Sequence, residues 1–350
     1  MSMRKRQKVQ KMLLDGVKKA ALHIKQGGLV AFPTETVYGL GGDALNEKTV
    51  EKIYSAKGRP GDNPLIVHVA DADDFWRLSS GAPKYAKLLI EAFWPGPLTL
   101  VANKSPSVPK WVGVHPSKEA NTIGVRMPSH PIALSLLKES GCHIAAPSAN
   151  KSGGLSPTSA QHVMEDFPER AQLNISILDG GYTTVGLEST VLDVTGDTPV
   201  VLRPGTITQE EIGRVINLQV FSGVTTVTDA PRSPGTKYNH YTPKTPLTIL
   251  VGNHENIANF LADAATIPST GALVTPKTFE LLPENVRANA KIIVSGPEAW
   301  QLAKSLYANL RAFDNLEIDR IFAESTPYEG IGFAVMDRMQ KAAEGRVIVV

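Results

Sequence analysis

Cysteine is almost missing from this 350-residue chain, where Cys142 stands alone. One thiol closes no internal disulfide and builds no Cys-rich zinc site. Cys142 is followed by His143, a pairing that could serve a nucleophile. The Ile144-Ala145-Ala146 run after it reads as core strand, however, so a small buried thiol is expected. An excess of one charge is missing too. Lys and Arg number 36 and Asp and Glu 34, and the net +2 argues neither for nor against nucleic acid. No apolar run approaches the ~20 residues of a membrane span. The first residues show no apolar stretch ahead of a small-residue cleavage site, so a soluble, cytoplasmic protein is expected. No G-x-x-x-x-G-K-[ST] occurs, and no G-x-G-x-x-G follows the first strand of the second half. No internal repeat links the two halves.

What is present concentrates between residues 29 and 69. Leu29 to Phe32 reads as a buried strand ended by Pro33, and Thr34, Glu35 and Thr36 sit on the turn after it. Gly39, Gly41 and Gly42 are expected to keep the next backbone open. Thr49, Val50, Ile53 and Tyr54 share one helix face, which leads to Lys57 and Arg59 around Gly58. Leu65 to Val69 returns as a second buried strand carrying His68. Hydroxyls, two cations and an imidazole at the ends of neighbouring elements suit an anionic ligand. An ordinary solvated helix end accounts for the same cations equally well.

Further along, residues 1 to 26 read as a basic amphipathic helix with Val9, Met12, Leu13, Val17 and Ile24 on its packed face. Arg126 and Arg203 each close a short strand, and a lone Arg in such a place is commonly just a surface residue. The run from Pro147 to Thr158 is dense in hydroxyl, amide and glycine. Ser156 or Thr158 is expected to cap the helix after it, which would make a phosphate site of the helix N-terminus. The fold class is α/β: a domain over 1–220, a linker over 221–246 rich in Ser, Thr, Gly and Pro, and a small parallel α/β domain over 247–350. The linker carries Ser233-Pro234-Gly235-Thr236-Lys237-Tyr238-Asn239-His240-Tyr241. Two tyrosines, a lysine and a histidine are unusual in a passive spacer, so it is expected to fold back over a site as a lid.

Eight blocks in order, FPTETVYGL, SAKGRPGDNPLIVHV, WPGPLTL, VRMPSHP, APSANKSGGLSPT, GLESTV, LRPGTIT and SPGTKYNHYTP, resemble the YrdC-like threonylcarbamoyl-AMP synthase family in its longer, two-domain form. The resemblance spans the whole chain. It implies a twisted mixed sheet around a concave basic cavity, plus a small Rossmann-like parallel domain. It implies a nucleotidyltransferase acting on L-threonine, bicarbonate and ATP, with Mg²⁺ on the ATP phosphates and no protein ligands to the metal. Its product would pass to downstream threonylcarbamoyl-transfer proteins that modify tRNA.

By position, Thr36, His68, Arg126, Ala146 and Ser189 match the family's L-threonine contacts. Lys57, Arg59, Asn63, Thr122, Ser148, Asn150, Ser156 and Arg203 match its nucleotide contacts, with Lys57 and Arg59 the pair on which catalysis would rest. Asn239 and His240, beside Tyr238, would close over ATP. Thr236 and Asp337 depart from the pattern, standing where Met and Asn are common. Two alternatives remain: a non-catalytic module that weakly binds tRNA or double-stranded RNA, and a hydrogenase-maturation carbamoyltransferase. The single cysteine disfavours the second.

Overall fold

The computed structural model describes residues 3–223, 240–264, 269–289 and 291–350. They fall into two compact units. The first comprises 3–152, 157–184 and 188–223, and the second 153–156, 185–187 and the described residues from 240 onward. Of the linker motif, Ser233 to Asn239, with Thr236 and Tyr238, lies outside the described residues.

In chain order the first unit runs α1 (Met3–Lys25), β1 (Leu29–Phe32), β2 (Gly39–Asp43), α2 (Glu47–Lys57), β3 (Ile66–His68), α3 (Asp74–Leu78), β4 (Ser79–Ser80), α4 (Tyr85–Phe93) and β5 (Leu98–Lys104). It continues with β6 (Thr122–Arg126), α5 (Pro131–Ser140), β7 (Ile144–Ala145), α6 (Ala160–Asp166), β8 (Ile175–Ile177), β9 (Thr190–Asp193), β10 (Val200–Arg203), α7 (Gln209–Ile216) and β11 (Phe221–Ser222). The strands form one mixed sheet in the order β11-β10-β9-β5-β6-β3-β7-β2-β1-β8, with β4 beside β5. Alternate residues of β1 feed two cores. Leu29 and Ala31 join a large cluster with Val67, Leu100 and Val125, while Val30 and Phe32 join α1 and α5 on the other face.

Local signals set the helix ends. Asn46 caps α2 by accepting from the Thr49 N–H at 3.2 Å, and Gly58, at φ 60°, ends it. Thr208 and Glu211 form a reciprocal capping box on α7.

Four expectations are corrected. The glycines expected to hold an open turn instead form β2. A Cβ on Gly41 would come within 2.5 Å of Ile144 Cγ2 and 2.8 Å of Phe32 Cε1, so a strand packed this tightly there admits only glycine. Met12 is 65 % exposed, because it lies about 140° round the helix from Val17. The packed stripe is Val17, Ala20, Ala21 and Ile24. Cys142 is half-buried at the edge of the second cluster rather than enclosed. The cap of α6 is Ser159, whose hydroxyl accepts from His162 N–H at 3.3 Å. Neither Ser156 nor Thr158 caps it, and α6 is too short to carry a phosphate site of its own.

The second unit contains β12 (Leu247–Val251), α8 (His254–Ala264), β13 (Thr270–Val274), α9 (Pro276–Leu281), α10 (Glu284–Asn289), β14 (Lys291–Val294), α11 (Ala299–Asp314), β15 (Arg320–Glu324), α12 (Ile331–Ala342) and β16 (Val347–Val349). Its sheet, ordered β14-β13-β15-β12-β16, is parallel at every described pair, as alternating strands and helices require. Asp337 is buried on α12 and takes Lys341 Nζ at 2.8 Å and the guanidinium of fully buried Arg338. An Asn there would remove one charged partner of that cation.

Candidate active site

The sheet register of the first unit decides what lies near what. β3 and β6 run parallel with His68 opposite Arg126, so both side chains emerge at the carboxyl ends of adjacent strands. β9 begins at that same edge, with Thr190 opposite Leu98, and antiparallel β10 ends there at Arg203. Ser189, His68, Arg126 and Arg203 therefore share one sheet edge. Ala146 lies opposite Ile66, two positions back along β3 from His68, and its N–H donates to the Ile66 carbonyl at 2.9 Å.

At this edge Arg126 is almost fully buried and spends its guanidinium on three partners. Nη2 meets Glu35 Oε1 at 2.6 Å, Nη1 donates to Thr36 Oγ1 at 3.0 Å, and Nε donates to the Gly96 carbonyl at 3.2 Å. The second Glu35 oxygen accepts from Ser129 N–H at 3.1 Å. Burial pushes the Glu35 carboxyl up. The Arg126 charge and hydrogen bonds outweigh it, and the net result lies below the usual carboxylate value. Thr34 Oγ1 lies 2.8 Å from Thr36 Oγ1 and completes the turn. Beyond it, Ser189 Oγ is 2.8 Å from Thr99 Oγ1, and Arg203 Nη2 donates to the Ser189 carbonyl at 3.0 Å and its hydroxyl at 3.1 Å.

His68 is different. Its Nδ1 is buried with no protein hydrogen-bond partner. Burial, aided by the Arg126 charge and opposed by Glu35, pushes the imidazole down to about 3. A neutral ring with an open nitrogen is a recognition element waiting for a ligand. The shift also carries a stability signature. The unfolded chain binds the proton more readily, so this contribution is full above about 6.5 and lost as pH falls toward about 3. His68→Gln is expected to flatten the fall of Tm between pH 6.5 and 4. An unchanged slope would mean the ring is not desolvated.

The second group gathers at the end of α2. Lys57 is buried, and its Nζ donates to the Ser148 carbonyl at 2.6 Å and to the Asn150 carbonyl. Ser148 Oγ in turn donates to Asn150 Oδ1 at 2.5 Å. Burial first, and the Arg59 charge second, hold the Lys57 ammonium well below its ordinary value. Half-buried Arg59 reaches the Asn63 carbonyl at 3.0 Å, Asn63 Oδ1 at 2.7 Å and the Pro64 carbonyl at 2.7 Å. Asn63 Nδ2 is buried and unpartnered, a second open donor. Asn63 leads into β3 at the edge where β6 begins with Thr122. Thr122 thus lies about 13 Å along β6 from Arg126.

The structure thus separates two sets of predicted residues on one sheet. Thr36, His68, Arg126 and Ser189 lie at one edge and Thr122 at the other, with Ala146 opposite Ile66 between them, Asn63 on the turn before β3, Arg59 bonded to Asn63, and Lys57 bonded to Ser148 and Asn150. Arg203 is brought to Ser189 rather than to the Lys57 group. Ser156 and half-buried His240 belong to the second unit, and Asn239 lies outside the described residues. Sequence reasoning counted the turn hydroxyls of Thr34 and Thr36 in the cluster but missed Glu35 and Thr99 as members of the site. A carboxylate inside the apolar FPTETVYGL run was the available signal, since a buried Glu needs a cation.

The Sua5/YciO/YrdC family model, described as "Telomere recombination", matches residues 23–205. The chain belongs to this family. A second model, "Threonylcarbamoyl-AMP synthase, C-terminal domain", matches residues 207–344. Within the family, the chain is 45 % identical to the threonylcarbamoyl-AMP synthase of Bacillus subtilis, covering 95 % of this chain and 94 % of the relative. It is 37 % identical to the synthase of that name from Schizosaccharomyces pombe, over 90 % of this chain and 84 % of the relative. The crystal structure of P. abyssi Sua5 complexed with L-threonine superposes with a TM-score of 0.85 at 40 % identity, covering 95 % of this chain and 96 % of that one. The likeness therefore runs along nearly the whole chain and takes in residues of both units. No helix among the described residues is long and apolar enough to cross a membrane.

Proposed function

We propose that this chain is an L-threonylcarbamoyladenylate synthase, a nucleotidyltransferase that joins L-threonine, bicarbonate and ATP into threonylcarbamoyl-adenylate, pyrophosphate and water, ahead of threonylcarbamoyladenosine modification of tRNA. The observation that carries the reading is the division of one sheet, in a chain resembling enzymes of that name end to end. A neutral imidazole and an oriented arginine stand at the carboxyl ends of β3 and β6, and a second cation, Arg59, is braced on Asn63 in the turn that leads into β3.

In this reading Thr36, His68, Arg126, Ala146 and Ser189 hold L-threonine. Lys57, Arg59, Asn63, Thr122, Ser148, Asn150, Ser156 and Arg203, with Asn239 and His240, hold the nucleotide. The threonine amine attacks the carbon of bicarbonate, the N–C bond forms and water leaves. A carbamate oxygen then attacks the α-phosphorus as the bond to pyrophosphate breaks. Every participant is an anion, so the protein's task is to hold negative charges together and in line. Neutral His68 accepts or donates without adding charge, while Arg126, its geometry fixed by Glu35, supplies a fork for a carboxylate.

Mg²⁺ enters with the substrate as MgATP. In this reading the triphosphate supplies the ligands of the metal. The catalytic (1–220), linker (221–246) and small (247–350) divisions, a cytoplasmic setting and downstream transfer proteins belong to the same reading.

Pyrophosphate release by the purified chain with MgATP tests it, leaving out L-threonine or bicarbonate in turn. Release that requires both, and fails with serine or valine at equal concentration, is expected. Release without threonine would reduce the activity to ATP hydrolysis and remove the synthase reading.

A further inference from the structure

Helix α11 of the second unit has one face with three unusual partners. Ala303, Lys304, Tyr307 and Arg311 fall within about 100° of arc. The neighbouring stripe, Ala303, Leu306 and Leu310, is ordinary core. Against Ala303 and Lys304 lies Gly186, at φ 84°, so close that a Cβ there would come within 2.5 Å of Lys304 Cα and 2.6 Å of the Ala303 carbonyl oxygen. Against Tyr307 lies Tyr241, with ring centroids 5.5 Å apart and planes 28° apart, and the Arg338 guanidinium sits 5.5 Å from the Tyr241 ring centroid. Arg311 Nη2 donates to the Leu155 carbonyl at 2.5 Å, and Thr242 N–H donates to the Gly153 carbonyl at 3.0 Å.

All three segments are remote in sequence from α11, and each is a motif the sequence reading singled out for substrate binding. Leu155 precedes Ser156, Gly186 opens the turn that leads to Ser189, and Tyr241 follows His240. Simple core packing explains the tyrosine pair and the glycine contact. It does not explain a charged guanidinium placed on one backbone carbonyl. A peptide plane is rigid, so a bond to the Leu155 oxygen fixes the N–H and the Cα direction of Ser156.

We propose that Arg311 is a positioning residue for the nucleotide: it holds the peptide that carries Ser156. This rests on the reading of Ser156 as a nucleotide contact.

The test is steady-state pyrophosphate release by the full chain, with KM measured separately for ATP and L-threonine. Arg311→Met is expected to raise KM for ATP about tenfold, the loss of one charge-assisted hydrogen bond. KM for L-threonine and Tm should stay unchanged, and Arg311→Lys, which keeps a donor, should restore most of the affinity. Ser156→Ala should raise KM for ATP as well, and the double variant should be no worse than the weaker-binding single, because both act through one contact. A rise in Ser156→Ala without one in Arg311→Met overturns the positioning role alone. Equal loss for both substrates, or loss that follows a lowered Tm, also overturns it by making Arg311 structural. Unchanged KM for ATP in Ser156→Ala removes the nucleotide reading beneath it, and the proposal with it.

Discussion

Lys57→Ala is expected to lower pyrophosphate release by roughly 10²- to 10³-fold, the usual cost of removing a preorganised donor aimed at developing charge. An ammonium has three N–H donors, and two of those on Lys57 are spent on the Ser148 and Asn150 carbonyls. The third remains for a phosphate oxygen, and the first two keep the S-x-N loop in place. Arg59→Ala should cost a similar amount, because its fork is already braced by three acceptors at Asn63 and Pro64 and pays little entropy on binding.

The buried lysine also predicts a pH trend. Burial and Arg59 depress the Lys57 ammonium in the empty protein, so it surrenders its proton well below the ordinary lysine range. A bound triphosphate favours the charged form. KM for ATP should therefore climb with rising pH once the free enzyme begins to lose that proton, and the climb should vanish in Lys57→Ala. Circular dichroism of both variants should remain that of the parent. Near-parental turnover in both would place the anion site elsewhere.

Much of this was legible beforehand for identifiable reasons. β1 and the central strands announced themselves as short apolar runs between Pro and Gly. The helix face ending at Gly58 fixed where Lys57 and Arg59 would emerge. What escaped was set by distant neighbours. Nothing local turns GLGGD into a strand, since the need for glycine at 41 comes from Ile144 and Phe32. Ser156 and Thr158 were as good caps by type as Ser159, and only the direction of the entering chain selected the last. The spread of the site residues along β3 and β6 followed from strand register, which pairing sets and local sequence does not. Glu35 looked like a turn residue until Arg126, 91 positions away, arrived beside it.

That pair supports the second large effect. Glu35→Ala is expected to destabilise the protein by about 3–5 kcal/mol, the cost of leaving a buried cation without its partner. The loss should appear as a lowered urea midpoint with an unchanged slope. Arg126 would keep Thr36 and the Gly96 carbonyl as partners but no counter-charge, so the penalty is electrostatic rather than a void. Removing the stranded charge as well, in Glu35→Ala/Arg126→Met, should recover part of the stability while abolishing threonine-dependent turnover. Acid should act in the same sense. The Glu35 carboxyl is depressed in the fold, so its contribution is full above its unfolded value and disappears as pH falls through the folded one. The stability difference between parent and Glu35→Ala should therefore shrink on acidification. A single-variant loss under about 1 kcal/mol, the range of an exposed ion pair, would show that water reaches the pair. Arg126 would then be held by the Thr36 turn and Gly96 alone.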